Sequence, residues 1–537
     1  MRRAVAAVFV ALALPGAADA ARFAVGVAPG ADRARLAAAL EARTGGQVEP
    51  LAPFAVVLEA QSAARVMEIP GVAYVESLGT RGRRMAFAPS DPLFGRQWYV
   101  GAVKGFDAWA QRPTLPGMRV AVIDSGIDGG HSEFLGRISK QQSFVGGSAL
   151  QDLHGHGTFV AGLIAASLGN GEGIAGMAFP AQLLVAKVVR ADGVVPLEAE
   201  ARAIRWAVDQ HASVINLSLG GMRDPLDPAR DAFSPLEADA VAYAIRRGVI
   251  VVAAVGNGDQ APELPWRFAS YPAALPHVLG VSAIARDGSV PMFSNRDPQY
   301  NDVAAPGDEL FSTLPRALTA LRPACDAQGY SDCGPQEFRR PQGTSFAAAI
   351  ASAGAVLVRA SWPNARPEQV VGLIERSAAD QTQATGCRRC VEGRDPITGW
   401  GMLDVAAAVN YPGVLPPRDQ FETNDDAGSR AWRTKRSTIR ATLDYWNDQN
   451  DVYAVRLRKG GRLVATLSGK TSANVNLVLW KPGTRRIGLT RALANSSGPG
   501  TFEMIRYFGA PRAGIYYVQV KIVEPGAGRY TLRLVRR

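Results

Sequence analysis

Between about Asp91 and Val409 the chain alternates continuous Val/Ile/Leu runs with Ala-rich stretches of helical length. The apolar runs cover 120–123, 183–189, 214–217, 249–254 and 278–281, and none shows polar alternation. A strand that is apolar at every position must be covered on both faces, which points to a parallel sheet. The intervening stretches 159–166, 197–209 and 237–247 are predicted as the covering helices. The expected fold is α/β, one parallel sheet with helices on both faces, over residues 91–412.

The flanks have different textures. From Phe23 to about Leu78 short apolar runs at 23–27, 54–58 and 72–75 alternate with helical stretches at 32–43 and 62–68, a small α+β unit. The basic stretch Arg81-Gly82-Arg83-Arg84 after it reads as an exposed linker. Beyond Tyr411-Pro412, Pro416-Pro417 and Asn424-Asp425-Asp426 mark a second linker. Short alternating runs with Gly-containing turns follow at 452–457, 463–467, 475–480, 515–522 and 530–535, so residues 420–537 are predicted as an all-β sandwich. With 47% hydrophobic and 20% charged residues, the composition excludes collagen-like, coiled-coil and wholly disordered chains.

At the N-terminus Arg2 and Arg3 precede an apolar run to Leu14, then Ala18-Asp19-Ala20. That pattern predicts a secretory signal peptide over 1–20, and a mature protein outside the cytoplasm. The run is too short for a membrane anchor.

Chemistry-bearing residues fall at strand ends and helix starts, where open α/β sheets gather their sites. The run 120–123 ends in Asp124, which standing alone would equally be a helix N-cap. His154-Gly155-His156-Gly157-Thr158 opens a small-residue helix whose first turn presents His156. Asp152, His154 and His156 also alternate like metal ligands on a strand face, although the glycines weigh against a rigid strand. Gly343-Thr344-Ser345-Phe346 starts a strongly apolar helix. A Ser there is commonly a cap, but it also lies at the positive end of a helix dipole. Asn257, between Gly256 and Gly258, suits a left-handed turn or a side-chain amide donor.

Taken together, with Ile215-Asn-Leu-Ser-Leu-Gly-Gly221 and Gly399-Trp-Gly-Met-Leu-Asp404, these motifs resemble the subtilisin-family (subtilase) serine peptidases over about 91–409. The resemblance implies a subtilisin-like fold and an endopeptidase acting on proteins and peptides through an acyl-enzyme. It makes Ser345 the nucleophile, His156 the general base and then acid, and Asp124 the residue that orients His156. Asn257 and the Ser345 amide would form the oxyanion hole. Ser218, Leu219, Gly220, Ala254, Val255 and Gly256 would line the first specificity pocket, with Ser270 at its base. No carboxylate stands at those positions, so apolar or aromatic side chains before the scissile bond are expected. Asp259 and Glu263 are the nearby acids. Two positions depart from the family: Phe159 stands in place of a second His, and Ala349-Ile350 in place of Pro-His, both read as packing changes.

By the same resemblance residues 21–84 look like an inhibitory propeptide, an intramolecular partner of the enzyme, with self-cleavage expected within 81–89. The tail resembles the bacterial pre-peptidase C-terminal β-domain. An α/β-hydrolase esterase would need Gly-x-Ser-x-Gly, whereas Ser345 sits in Gly-Thr-Ser-Phe-Ala. A secreted binding protein with a retired site is the other alternative, and it has no physical need to keep all four positions filled.

No cofactor is required for such chemistry. Structural calcium is compatible with the family, and Glu133 stands where an acidic ligand commonly lies. The loop 169–175 offers few of the 6–8 oxygens calcium takes, so no strong requirement is expected there. Four Cys allow three pairings; the local ones, Cys325 with Cys333 and Cys387 with Cys390, are favoured over a four-Cys zinc site. Of the net charge of +11, residues 421–537 supply 21 Lys and Arg against 8 Asp and Glu, leaving 38 against 40 elsewhere. No nucleic-acid partner is expected. The tail is expected either to be a solvated surface or to hold the enzyme at an anionic cell surface, with Asp425 and Asp426 marking an exposed point of removal.

Overall fold

The computed structural model describes residues 21–78, 89–109, 117–179, 181–417, 419–471, 473–487 and 491–537. The predicted leader and nearly all of the basic stretch 81–89 lie outside the described residues. The chain divides into two compact units, 1–85 and 86–537.

In the first unit strands β1 (Ala21–Val27), β2 (Gln47–Ala52), β3 (Ala55–Ala60) and β4 (Val72–Ser77) form an antiparallel sheet of order β2-β3-β1-β4. The helix Arg33–Thr44 starts at Asp32, whose carboxylate accepts from the Ala34 and Arg35 amides at 2.8 and 3.1 Å. Its Leu36 and Leu40 pack on Val25, Val56 and Leu58. Strand β2 was not legible in the sequence, because an edge strand carrying Pro50 and polar residues lacks an apolar run. The helix predicted over 62–68 is a single turn, Val66–Glu68.

In the second unit the short helices Trp98–Ala102 and Gly105–Trp109 precede the parallel sheet. Its strands are β5 (Arg119–Asp124), β6 (Ile138–Ser143), β7 (Gln182–Lys187), β8 (Val214–Leu217), β9 (Ile250–Ala254), β10 (Val278–Ile284) and β11 (Val303–Pro306). They lie in the order β11-β10-β9-β8-β5-β7-β6. Successive residues point to opposite faces. Val120, Val122, Leu183 and Val185 pack on the helices His156–Ala165 and Thr344–Ser361. Ala121, Ile123, Leu184 and Ala186 pack on Leu197–Asp209 and Pro235–Arg246. Both faces are therefore dry, as the unbroken apolar runs require. The two strands without a sequence signal, β6 and β11, are the edges.

Among the described residues nine further strands follow: β12 (Trp432–Arg433), β13 (Thr438–Asp444), β14 (Asn450–Leu457), β15 (Arg462–Thr471), β16 (Val475–Trp480), β17 (Ala494–Ser496), β18 (Phe502–Phe508), β19 (Gly514–Ile522) and β20 (Ala527–Arg536). They build a five-stranded sheet, β12-β14-β19-β16-β17, and a four-stranded sheet, β13-β20-β15-β18. Leu443, Leu467 and Leu532 of one sheet share a core with Val455, Leu477 and Val518 of the other, which makes a sandwich.

This β module is packed onto the parallel-sheet region. Arg376 donates to both oxygens of Asp444 at 2.6 and 2.7 Å. His277 Nε2 lies 2.8 Å from Glu422 and 3.1 Å from Asp425, while its Nδ1 lies 3.0 Å from the Asn447 side-chain oxygen. The exposed point of removal expected at Asp425 and Asp426 is therefore not there. Asp426 and Asn424 are buried, because this segment supplies the acids that meet His277 and the amides of the module.

Candidate active site

Strand β5 ends at Asp124, which is buried beyond the sheet. Its carboxylate accepts from the Ser125 amide (2.7 Å), and both its oxygens lie 2.9 Å from His156 Nδ1. His156 is the first residue of its helix. Gly157 lets that helix reach the strand end: a Cβ there would stand 2.1 Å from the Gly126 carbonyl oxygen.

The loop that aims His156 hangs on Asp152, a buried residue. Its carboxylate accepts from the amides of His154 (3.0 Å), Gly155 (2.8 Å) and Thr158 (2.9 Å), and from the hydroxyls of Ser125 (2.9 Å) and Thr158 (2.6 Å). With both oxygens so engaged, and His154 exposed, the alternation Asp152, His154, His156 is a positioning device and not a ligand set. Burial pulls the His156 imidazole down. The charge and hydrogen bond of Asp124, helped by Asp152, outweigh that and hold its pKa above the ordinary value.

Ser345 sits at the second residue of the helix Thr344–Ser361, the only described helix long and apolar enough to cross a membrane, which is largely buried in the core. Its hydroxyl donates to the Ser218 carbonyl at 3.1 Å, and its carbonyl accepts from Ser218 Oγ at 2.6 Å. Asn216 and Ser352 extend this network, with Asn216 donating to Ser218 Oγ (2.9 Å) and Ser352 donating to Asn216 (2.9 Å). Phe346 brings the next side chain against His156, ring centroids 5.6 Å apart, and Phe159 lies under Phe346 at 4.4 Å. The unusual Phe159, like Ala349 and Ile350, is thus fully buried packing.

Asn257 is held by its oxygen, which accepts from the Thr344 amide and hydroxyl, both at 2.9 Å. That leaves its amide nitrogen to face the cleft. A Cβ at Gly343, whose φ is 155°, would lie 3.6 Å from Asn257 Nδ2 and 3.8 Å from the Ser345 amide. Two donors therefore border one small space that glycine keeps open.

Ser218, Leu219, Gly220, Ala254, Gly256 and Ser270 line a cleft of about 210 Å³ together with Asn257 and Ser345. Val255 does not: its side chain is buried in the core behind the wall, since strand alternation turns it away. Its carbonyl instead accepts from the Ser270 amide (2.8 Å) and from Asn295 Nδ2 (2.9 Å). Asp259 lines the cleft, whereas Glu263 is engaged by Arg267 on the surface. Motif reading gives no role to Thr344, Ser125, Asn216 or Asn295, and singles out Asp152 only as a candidate metal ligand. Only Asp152, two residues before His154 and six before Thr158, left an N-cap-like signal.

Glu133 is buried, and burial pushes it up to about 7. Its oxygens accept from the Ile174 amide (2.8 Å), the Tyr330 hydroxyl (2.9 Å) and Asn170 (3.1 Å). An acidic group that could hold a metal lies elsewhere: Asp419, Glu422 and Asp448 bring carboxylate oxygens within 4.8 Å of one another. Cys325 is bonded to Cys333 and Cys387 to Cys390, so no thiolate is left to bind zinc.

A serine at a helix start and paired amide donors beside one cleft, with a histidine on a buried carboxylate packed against the residue after that serine, define a serine hydrolase-type centre. The model of the Subtilase family matches residues 116–401, a little over half the chain. The major intracellular serine protease of Bacillus subtilis (strain 168) is 36% identical over 222 residues, 40% of this chain and 66% of that protein, just under two thirds. Thermitase of Thermoactinomyces vulgaris is 35% identical over 237 residues, 44% of this chain and 78% of that protein. Subtilisin E of Bacillus subtilis (strain 168) is 31% identical over 277 residues, 50% of this chain and 67% of that protein. The chain belongs to the subtilase family of serine proteases.

Proposed function

We propose that the chain is a secreted endopeptidase in which Ser345 Oγ attacks the scissile carbonyl while His156 Nε2 takes its proton. Asp124 fixes the tautomer that leaves Nε2 free and stabilises the imidazolium that forms. Asn257 Nδ2 and the Ser345 amide receive the oxyanion. His156 then protonates the leaving amine, and water releases the acyl group by the same steps in reverse order of proton transfer. The observation that carries this reading is the 2.9 Å contact of His156 Nδ1 with the buried Asp124, on a ring that packs 5.6 Å from Phe346, the residue after Ser345. Covalent labelling by a serine-directed phosphonate tests it: the native chain labels and Ser345→Ala does not. Activity on peptide anilides should fall by about 10⁶, as it does for the equivalent deletion in subtilisin. Activity within a few-fold of native would overturn the mechanism.

Secretion is supported by the two disulfides, which suit an oxidising compartment. The 21–84 region acts in this reading as an intramolecular inhibitor released by cleavage within 81–89. A cleft with Asp259 as the one carboxylate in its lining favours apolar or aromatic side chains and leaves room for a basic one. The positive module surface favours anionic supports.

A structural divalent cation fits Asp419, Glu422 and Asp448 better than Glu133. Buried Glu422 Oε1 and Asp448 Oδ1 have no hydrogen-bond partner, whereas both Glu133 oxygens do. Chelation should lower the melting temperature of the native chain, and calcium should restore it; Asp448→Asn should remove the response. Equal melting with and without chelator would reject the site.

A further inference from the structure

Two of the segments that wall the cleft beside Ser345 are Ser218–Met222, which lines it through all but Gly221, and Ser270, the chain neighbour of Tyr271. Gly221 and Tyr271 exchange both backbone hydrogen bonds, at 3.0 and 2.9 Å, so the walls form one piece. A third segment stands behind them. The Ala232 amide donates to the Met222 carbonyl at 2.9 Å, and Phe233 meets the fully buried Tyr271 edge to face, centroids 5.5 Å apart. That third segment is gripped from the β module. Arg486 lies over Phe233 at 4.7 Å and over Tyr271 at 5.5 Å, and its Nη1 is 3.7 Å from Asp231. Arg430 covers Phe233 at 5.6 Å. Cation–ring contacts of this kind strengthen when water is excluded, and Arg486 and Asp231 are 14% and 16% exposed.

We propose that Arg486 is a positioning residue for the specificity pocket: through Asp231, Phe233 and Tyr271 it sets the spacing of the walls that select the side chain before the scissile bond. The β module is then part of substrate selection and not only a tether. This rests on reading the cleft as the site for that side chain.

The test compares Arg486→Ala, Arg486→Lys and the surface control Arg506→Ala in the full chain. Two peptides differing only in Phe or Ala before the scissile bond are hydrolysed, with rates normalised to titrated active sites. The preference for Phe should fall about ten-fold in Arg486→Ala, through KM, and stay native in Arg506→Ala. Arg486→Lys should recover part of it, because the ammonium keeps the charge but not the planar stacking. A merely structural role would reduce the titrated fraction and leave the preference per site unchanged, and that result overturns the proposal. Calorimetric binding of a product peptide ending in Phe to Ser345→Ala, with and without Arg486→Ala, needs no turnover. Should the native chain cleave neither peptide, the peptidase reading falls; weaker binding in the double variant still upholds the role of Arg486, and equal binding overturns it.

Discussion

His156 and His277 each hold a carboxylate oxygen within 2.9 Å of a ring nitrogen. Burial lowers both imidazoles, and in both the neighbouring acids outweigh it and leave the pKa above the ordinary value. The chemistry of the pairs is alike, but their surroundings are not. His156 uses only Nδ1 on Asp124 and keeps 21% of its side chain exposed. His277 is fully buried, with Glu422 and Asp425 on one nitrogen and Asn447 on the other. A histidine–carboxylate pair becomes a base when its second nitrogen is left for substrate, and a lock when that nitrogen is taken.

The sharpest way to break this comparison is to remove each ring in turn. His156→Ala should cost about 10⁶ in turnover with little change in the unfolding midpoint, since members of such a unit act together. His277→Ala should do the opposite. It leaves buried acids without their cation, a loss of about 3–5 kcal/mol, while turnover per titrated site stays near native. Urea unfolding and active-site titration of the two variants decide it; a large loss of turnover per site in His277→Ala would erase the distinction.

The two histidines also differ in how readable they were. Asp124, His156, Asn257 and Ser345 each sit in a contiguous motif, because a strand end or helix start delivers them and the glycines around them are needed for close approach. The five central strands were legible for a related reason, as burial on both faces forces unbroken apolar runs. The edge strand β6 and the sandwich strands β13 and β18 carry polar or aromatic residues on an open face, and so left no such run, while β11 is fully buried but only four residues long, Val-Ala-Ala-Pro. His277, Glu422, Asp425 and Asn447 come from distant parts of the chain, and none has a local signature. Acidic residues after a Pro-rich stretch read as solvated, whereas folding buries them against a histidine about 145 residues earlier. The family resemblance puts Val255 in the pocket; strand alternation sends it to the core.

A smaller effect separates the two functions of charge around His156. Asp152 both aims the loop and stabilises the imidazolium. In the proposed mechanism His156 is the general base and must be neutral, so kcat/KM should fall as pH drops through its raised pKa. Asp152→Asn removes a negative charge near the ring, and the acid limb should move to lower pH even as the maximum rate declines. A limb that stays in place would make Asp152 a positioning residue alone.

The smallest expected effect comes from a proton-holding pair that involves no histidine. Glu200 and Glu237 face each other from the helices Leu197–Asp209 and Pro235–Arg246. Burial pushes Glu200 up to about 7 and, with the charge of Glu200 added, Glu237 up to about 9. Both folded values lie above those of unfolded glutamate, so the folded chain binds more protons than the unfolded one. The pair's stabilising contribution is fully present below the unfolded pKa and is lost as pH rises through 7 and then 9. Glu237→Gln makes the neutral partner permanent. It should raise stability by about 1 kcal/mol at alkaline pH and leave it unchanged in acid. Melting curves of both chains at acid and alkaline pH measure this directly. A variant that is less stable than native at alkaline pH would mean that the paired carboxylates are held by a cation, as at the β module, and not by a shared proton.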